Sequence, residues 1–225
     1  MHTHKVPDII TTLRSGTTIE AVSNGSFHPD LQHGTSAWVL CDPISGKTVY
    51  GNNLVPGPRS AQCAHRSKLC GLISVVKHVE QLCQQHQVTQ GQIEVGCDGE
   101  AAYLAATRYN YQPTTCIGHF DLVTKLHHLI KRSPLQWNFR HVTGHQDTKR
   151  PHKQLNIWER MNIKADELAK QYLWETLAQG LYIDHVPDME GCIPTVTIKH
   201  HDTTHSFTSY GVTAMHKYLA TCRSL

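Results

Sequence analysis

The chain has 225 residues, 39% hydrophobic and 17% charged, a composition that supports one domain with an appendage or two small domains and argues against wholesale disorder. No apolar run reaches the roughly 18 residues of a membrane span, and the opening MHTHKVPDIITTLRSG lacks the apolar stretch of a cleaved secretory signal. With 21 basic against 18 acidic residues, the net charge of +3 allows nucleic acid as a partner without arguing for it.

Residues 1–16 are polar and are expected to form a loose or partly helical lead-in. Residues 17–23 alternate as a strand, which Asn24-Gly25-Ser26 is expected to break. Residues 35–42 and 47–55 form two further strands around the turn chemistry of Pro43-Ile44-Ser45-Gly46, so the three read as an antiparallel meander. Pro56-Gly57-Pro58 stops that pattern. Ser60 is the expected cap of a helix reaching about Gln87, with Leu69, Leu72, Ile73, Val76, Val79, Leu82 and Cys83 at three- and four-residue spacing. A short strand over 92–98 follows, then a helix from Gly99 to about Tyr109 and another over 121–131. Residues 135–142 alternate as a strand, 143–156 are a polar loop, and 158–179 form a long amphipathic helix. Beyond it, 195–199 read as a strand and 208–221 as a short helix, with no motif. This order predicts an α/β fold with a mixed five-stranded sheet, divided as lead-in 1–16, domain 17–180 and extension 181–225.

The eight cysteines are spread along the chain with no C-x-x-C pair, as expected for reduced thiols of an intracellular protein; cytoplasm and nucleus are not distinguished. The eighteen histidines are scattered, H-E-x-x-H is absent, and the adjacent pairs His127-His128 and His200-His201 do not face one way on a helix, so a structural zinc is not expected.

Asp98 ends a predicted strand, where ligands gather in α/β sheets, and Asp166 lies in the last long helix. Around them stand five short motifs in order: Val22-Ser23-Asn24-Gly25-Ser26 at a strand end, Ser67-Lys68-Leu69-Cys70-Gly71-Leu72 on the first long helix, Cys97-Asp98-Gly99, Thr143-Gly144-His145, and Asn162-Ile163-Lys164-Ala165-Asp166-Glu167-Leu168-Ala169. Together, over about residues 17–180, they resemble the type 1 ribonuclease H family. The Gly-His-Gln-Asp loop is most similar to domains of eukaryotic retroelement polyproteins.

The resemblance implies a ribonuclease H-like fold with helices on both faces of the sheet. It implies hydrolysis of the RNA strand of an RNA–DNA hybrid by two Mg²⁺ (or Mn²⁺) ions held by carboxylates, with a mobile histidine, here His145, aiding product release or proton transfer. It also implies a reverse transcriptase domain as a partner within a parent polyprotein. The sequence departs from the family at two places: Asn24 stands where the family has Asp, and Lys68 where it has Glu. Each exchange is one base step.

Asp98, Asp166 and Asn24 are the remaining candidate metal ligands. The site carries −1 where four carboxylates carry −4. Two unit charges 4 Å apart interact by roughly 4 kcal/mol at an effective dielectric of 20, so an ammonium repels an adjacent dication by about twice that. Lys68 cannot ligate while protonated and can instead pair with Asp98 or Asp166. The expected catalytic set is therefore Asn24, Lys68, Asp98, His145 and Asp166, with activity dead or impaired. Backbone N–H groups at Gly25, Ser26 and Gly99, with the side chains of Lys149 and Arg150, are the expected nucleic-acid contacts. Glu100 is expected to complement its helix dipole. A non-catalytic hybrid-binding or scaffold domain is the alternative reading.

Overall fold

The computed structural model describes residues 6–108, 118–183, 196–200 and 203–207. Helix α1 (Val6–Arg14) leads into strands β1 (Ile19–His28), β2 (His33–Cys41) and β3 (Thr48–Leu54). These are followed by α2 (Ala64–His86), β4 (Gln92–Cys97), α3 (Glu100–Thr107), α4 (Phe120–Arg132), β5 (Gln136–His141) and α5 (Ile157–Ala178). The five strands form one sheet in the order β3-β2-β1-β4-β5. β1, β2 and β3 pair antiparallel, and β4 and β5 add in parallel to β1 and to each other. The expected mixed five-stranded sheet is therefore present.

Alternation along the central strands divides the apolar residues between two cores. Ile19 and Ala21 of β1, with Trp38 and Leu40 of β2, join the larger core with α1, α2, α3 and α4. Val22, Val39 and Cys41 point the other way, onto Met161 and Ala165 of α5, so helices cover both faces. Leu69 and Leu72 of α2 and Leu126 and Leu129 of α4 are fully buried in the larger core, each worth about 1.5–3 kcal/mol relative to exposure. The segment expected as a loose or partly helical lead-in folds as α1 and buries Ile9, Ile10 and Leu13 in the same core.

Helix α2 lies unusually close to β1 because two glycines face each other's element. A Cβ on Gly25 would stand 2.4 Å from the backbone carbonyl carbon of Ser67, and one on Gly71 would stand 3.1 Å from the carbonyl oxygen of Asn24. This approach sets Lys68 beside the middle of the sheet.

Three local expectations are corrected. Asn24-Gly25-Ser26 does not break β1: the strand runs on to His28 because β2 continues to pair with it, Asn24 opposite Ala37, Gly25 opposite Ser36 and Ser26 opposite Thr35. The cap of α2 is Cys63, whose Sγ accepts the Arg66 N–H at 3.3 Å; Ser60 falls in a separate 3-10 turn, Arg59–Ala61. The polar loop before α5 contains two 3-10 turns, Gln146–Thr148 and His152–Gln154, and ends in an Asn156/Glu159 capping box.

Farther on, β6 (Val196–His200) and β7 (Thr203–Phe207) form an antiparallel pair. The helix expected over 208–221, and the expected end of α3 at Tyr109, lie outside the described residues. Among the described residues no helix is long and apolar enough to cross a membrane.

Candidate functional site

The parallel pairing of β1 with β4 ends at Ser23 opposite Cys97. The next residues, Asn24 and Asp98, carry the site. Asn24 is 2% exposed; its Nδ2 donates to Asp98 Oδ2 at 3.3 Å and to Asn162 Oδ1 of α5 at 3.2 Å. Its Oδ1 accepts the N–H of Gly25 at 2.8 Å. From the opposite side Lys68 Nζ donates to Asp98 Oδ1 at 2.5 Å. The Asp98 side chain is 6% exposed and that of Lys68 22%, so the aspartate is the more deeply buried partner.

Two more glycines shape this contact. A Cβ on Gly99 would fall 2.5 Å from Lys68 Cδ, and one on Gly144 would fall 2.9 Å from Asp98 Oδ2. The missing side chain at 99 leaves the channel through which the lysine stem reaches the carboxylate. His141 Nε2 lies 3.3 Å from the Asp98 carbonyl oxygen. Burial, above all, and the neighbouring Asp98 charge push the Cys97 thiol up to about 11, so the sulfur under the site is a neutral packing group.

The structure thus joins Asn24, Lys68 and Asp98 in one network. Asp166 follows Asn162 by one helical turn on α5, and its Oδ2 accepts from Lys170 at 2.6 Å. His145 is exposed with φ 53°, and its carbonyl accepts from Thr148 Oγ1. Lys149 is exposed. Arg150 pairs with Glu159 and donates to Gln146 Oε1, which ties it to the start of α5. The N–H of Gly25 is taken by Asn24 Oδ1 and that of Gly99 by Cys97 Sγ at 3.4 Å, so neither is an open anion donor. Ser26 continues β1 and is partly exposed, and Glu100 stands in the first turn of α3, as a dipole role requires.

Asn162, which opens the fifth motif but is given no site role from the sequence, contributes to the network. Its spacing of four from Asp166 puts both on one helix face, which was the available signal.

A magnesium ion requires several oxygen ligands in near-octahedral order. Both oxygens of Asp98 already accept N–H bonds, the Asn24 oxygen is turned to Gly25, and Asp166 Oδ2 accepts from Lys170. The Lys68 ammonium stands on Asp98 Oδ1, where a cation would otherwise bind. The expected ligands Asn24, Asp98 and Asp166 therefore do not fit a two-magnesium centre. Among the described residues no group of three or more His, Cys, Asp or Glu side chains is placed to hold a metal ion.

No protein-family model matches the chain, and no curated protein matches it in sequence. Solved structures do. The chain is similar to LC11-RNase H1, isolated from compost by a metagenomic approach and solved in complex with an RNA/DNA hybrid: TM-score 0.51 at 16% identity, over 71% of this chain and 99% of that one. It is also similar to RNase H1 of the halophilic archaeon Halobacterium salinarum, with TM-score 0.46 and 16% identity over 70% of this chain and 98% of that one. A third is the N-terminal RNase H domain of a Mycobacterium tuberculosis protein, with TM-score 0.46 and 10% identity over 73% and 99%. The sheet order and the first of these similarities define the fold as ribonuclease H-like.

Proposed function

We propose that this chain is a ribonuclease H-like domain of retroelement origin that binds RNA–DNA hybrid and has lost, or nearly lost, metal-dependent hydrolysis of the RNA strand. The observation that carries this reading is the Lys68 ammonium seated on Asp98 Oδ1, with the Asn24 amide on the other oxygen. A nuclease of this chemistry needs that carboxylate for a cation. Here a cation is supplied by the chain itself, and it cannot hold an activated water. The hybrid as ligand is supported by the fold and by the five ordered motifs. Association with a reverse transcriptase domain in a parent polyprotein follows from the same resemblance, and an intracellular location from the scattered cysteines.

The test is a cleavage assay on a labelled RNA–DNA hybrid in Mg²⁺ and in Mn²⁺. The unaltered protein is expected to leave the hybrid intact while retarding it in a binding assay. The double variant Asn24→Asp, Lys68→Glu is expected to cut the RNA strand, and each single variant to fall well short of it, since the ligands act as one unit. Robust cleavage by the unaltered protein, abolished by Asp98→Asn, would overturn the loss of hydrolysis.

A further inference from the structure

We infer that Lys68 is a built-in phosphate ligand, so that the site around Asp98 grips the nucleic-acid backbone without a divalent ion. This rests on the proposed reading of that site as a nucleic-acid contact and adds which group makes it.

The geometry has three parts. Lysine carries three N–H donors, and Asp98 Oδ1 occupies one of those on Lys68. The Asp98 side chain is 6% exposed and that of Lys68 22%, so the lysine is the more accessible member of the pair. Asp98 is itself held by Asn24 Nδ2, and the lysine stem runs through the space left at Gly99. The ammonium is therefore fixed in place before any ligand arrives, which removes ordering cost from binding.

In a metal-dependent site, dications bridge protein carboxylates to phosphate oxygens. Here the same bridge is carboxylate, ammonium, phosphate. A lysine serves this purpose as a compact point charge with rotatable donors. It makes the contact but cannot generate a hydroxide, which separates binding from cleavage in one side chain.

The experiment titrates a fluorescently labelled RNA–DNA hybrid against the full chain, in EDTA and in Mg²⁺, over a series of salt concentrations. The unaltered protein is expected to bind equally in EDTA and Mg²⁺. Lys68→Met is expected to lose affinity on the order of tenfold. Its plot of log affinity against log salt should become shallower by about one, the signature of one lost phosphate contact. Lys68→Arg, which keeps the charge but not the shape, should retain the slope.

Because Lys68→Met leaves Asp98 without its cation and can lower stability, the same comparison is made between Asp98→Asn and Asp98→Asn/Lys68→Met, where no orphan charge remains. Hybrid binding with unchanged affinity and slope in both methionine variants would overturn this inference and leave the binding function standing. Binding by the unaltered protein that disappears in EDTA would also overturn it. Absence of hybrid binding by every form would overturn both.

Discussion

The side chains of Arg66 and Asp121 face each other with no exposed surface on either, joined by guanidinium-to-carboxylate bonds of 3.0 and 2.5 Å. Arg66 Nε also donates to the Pro56 carbonyl at 2.8 Å, so the start of α2, the start of α4 and the loop after β3 meet at one guanidinium. Removing one partner strands the other charge away from water. Arg66→Met and Asp121→Asn are each expected to cost about 3–5 kcal/mol in urea unfolding, and Arg66→Met/Asp121→Leu to recover much of that. A loss below about 1 kcal/mol for either single variant would show that water reaches the pair.

The double variant Asn24→Asp, Lys68→Glu should be less stable than the unaltered protein in the absence of a divalent ion. It crowds like charges around Asp98, which raises the free energy of the folded state when no cation is bound. Its thermal midpoint should fall below that of the unaltered protein in EDTA and rise with added Mg²⁺, by the ordinary linkage of binding to folding. The unaltered protein should show no such rise. Equal midpoints for both proteins in EDTA would contradict the expectation.

Gly25→Ala should destabilise by about 1–3 kcal/mol, because the added methyl meets backbone of Ser67 at 2.4 Å and neither β1 nor α2 can retreat alone. Gly118→Ala, where nothing lies within 4 Å, is the control and should stay within about 0.5 kcal/mol. Chemical unfolding of the two variants side by side provides the measurement.

Stability should fall as the pH drops from about 6.5 toward 4. Burial, first, and then the charges of Arg66 and His65 hold His119 down at about 4, although Asp121 pulls the other way. In the unfolded chain the same imidazole titrates near 6.5. Between the two values the unfolded state binds more protons, so stability is full above the window and is lost on acidification. Burial lowers His33, His65 and His78 in the same direction. Denaturant midpoints at pH 7 and pH 5 should differ less for His119→Gln than for the unaltered protein. An identical difference would assign the acid sensitivity to other groups.

The strands and helices that bury a continuous apolar face were legible because their spacing is set by that face: α2, α4 and α5 begin and end within a few residues of the periodic pattern. The strand through Asn24-Gly25-Ser26 was not, because its local turn chemistry is overridden by the β2 ladder, a contact between residues far apart in sequence. The cap of α2 was misplaced for a similar reason. Ser60 follows Pro58 as a strong local signal, but the helix starts where Cys63 can accept from Arg66. At the site, residue types announced Asn24, Lys68 and Asp98, whereas the choice of Asp98 as the lysine's partner depended on the open space at Gly99. Asn162 joined them only through the packing of α5 against β1.

The placement of Asn24 within a paired strand also governs how the protein ages. An Asn-Gly step loses ammonia when the glycine nitrogen attacks the side-chain carbonyl carbon, and the ring that forms opens to Asp or isoAsp. In β1 the peptide is held extended opposite Ala37 and Ser36, which opposes the backbone turn that closing the five-membered ring requires. The extended pairing therefore shields the folded chain from a reaction that would convert residue 24 to an acid. Each molecule that carries Asp or isoAsp at this position records a past unfolding. Peptide mass mapping of protein stored folded, against protein stored in urea at the same pH and temperature, should show the conversion concentrated in the second sample; equal conversion would mean that the strand gives no protection.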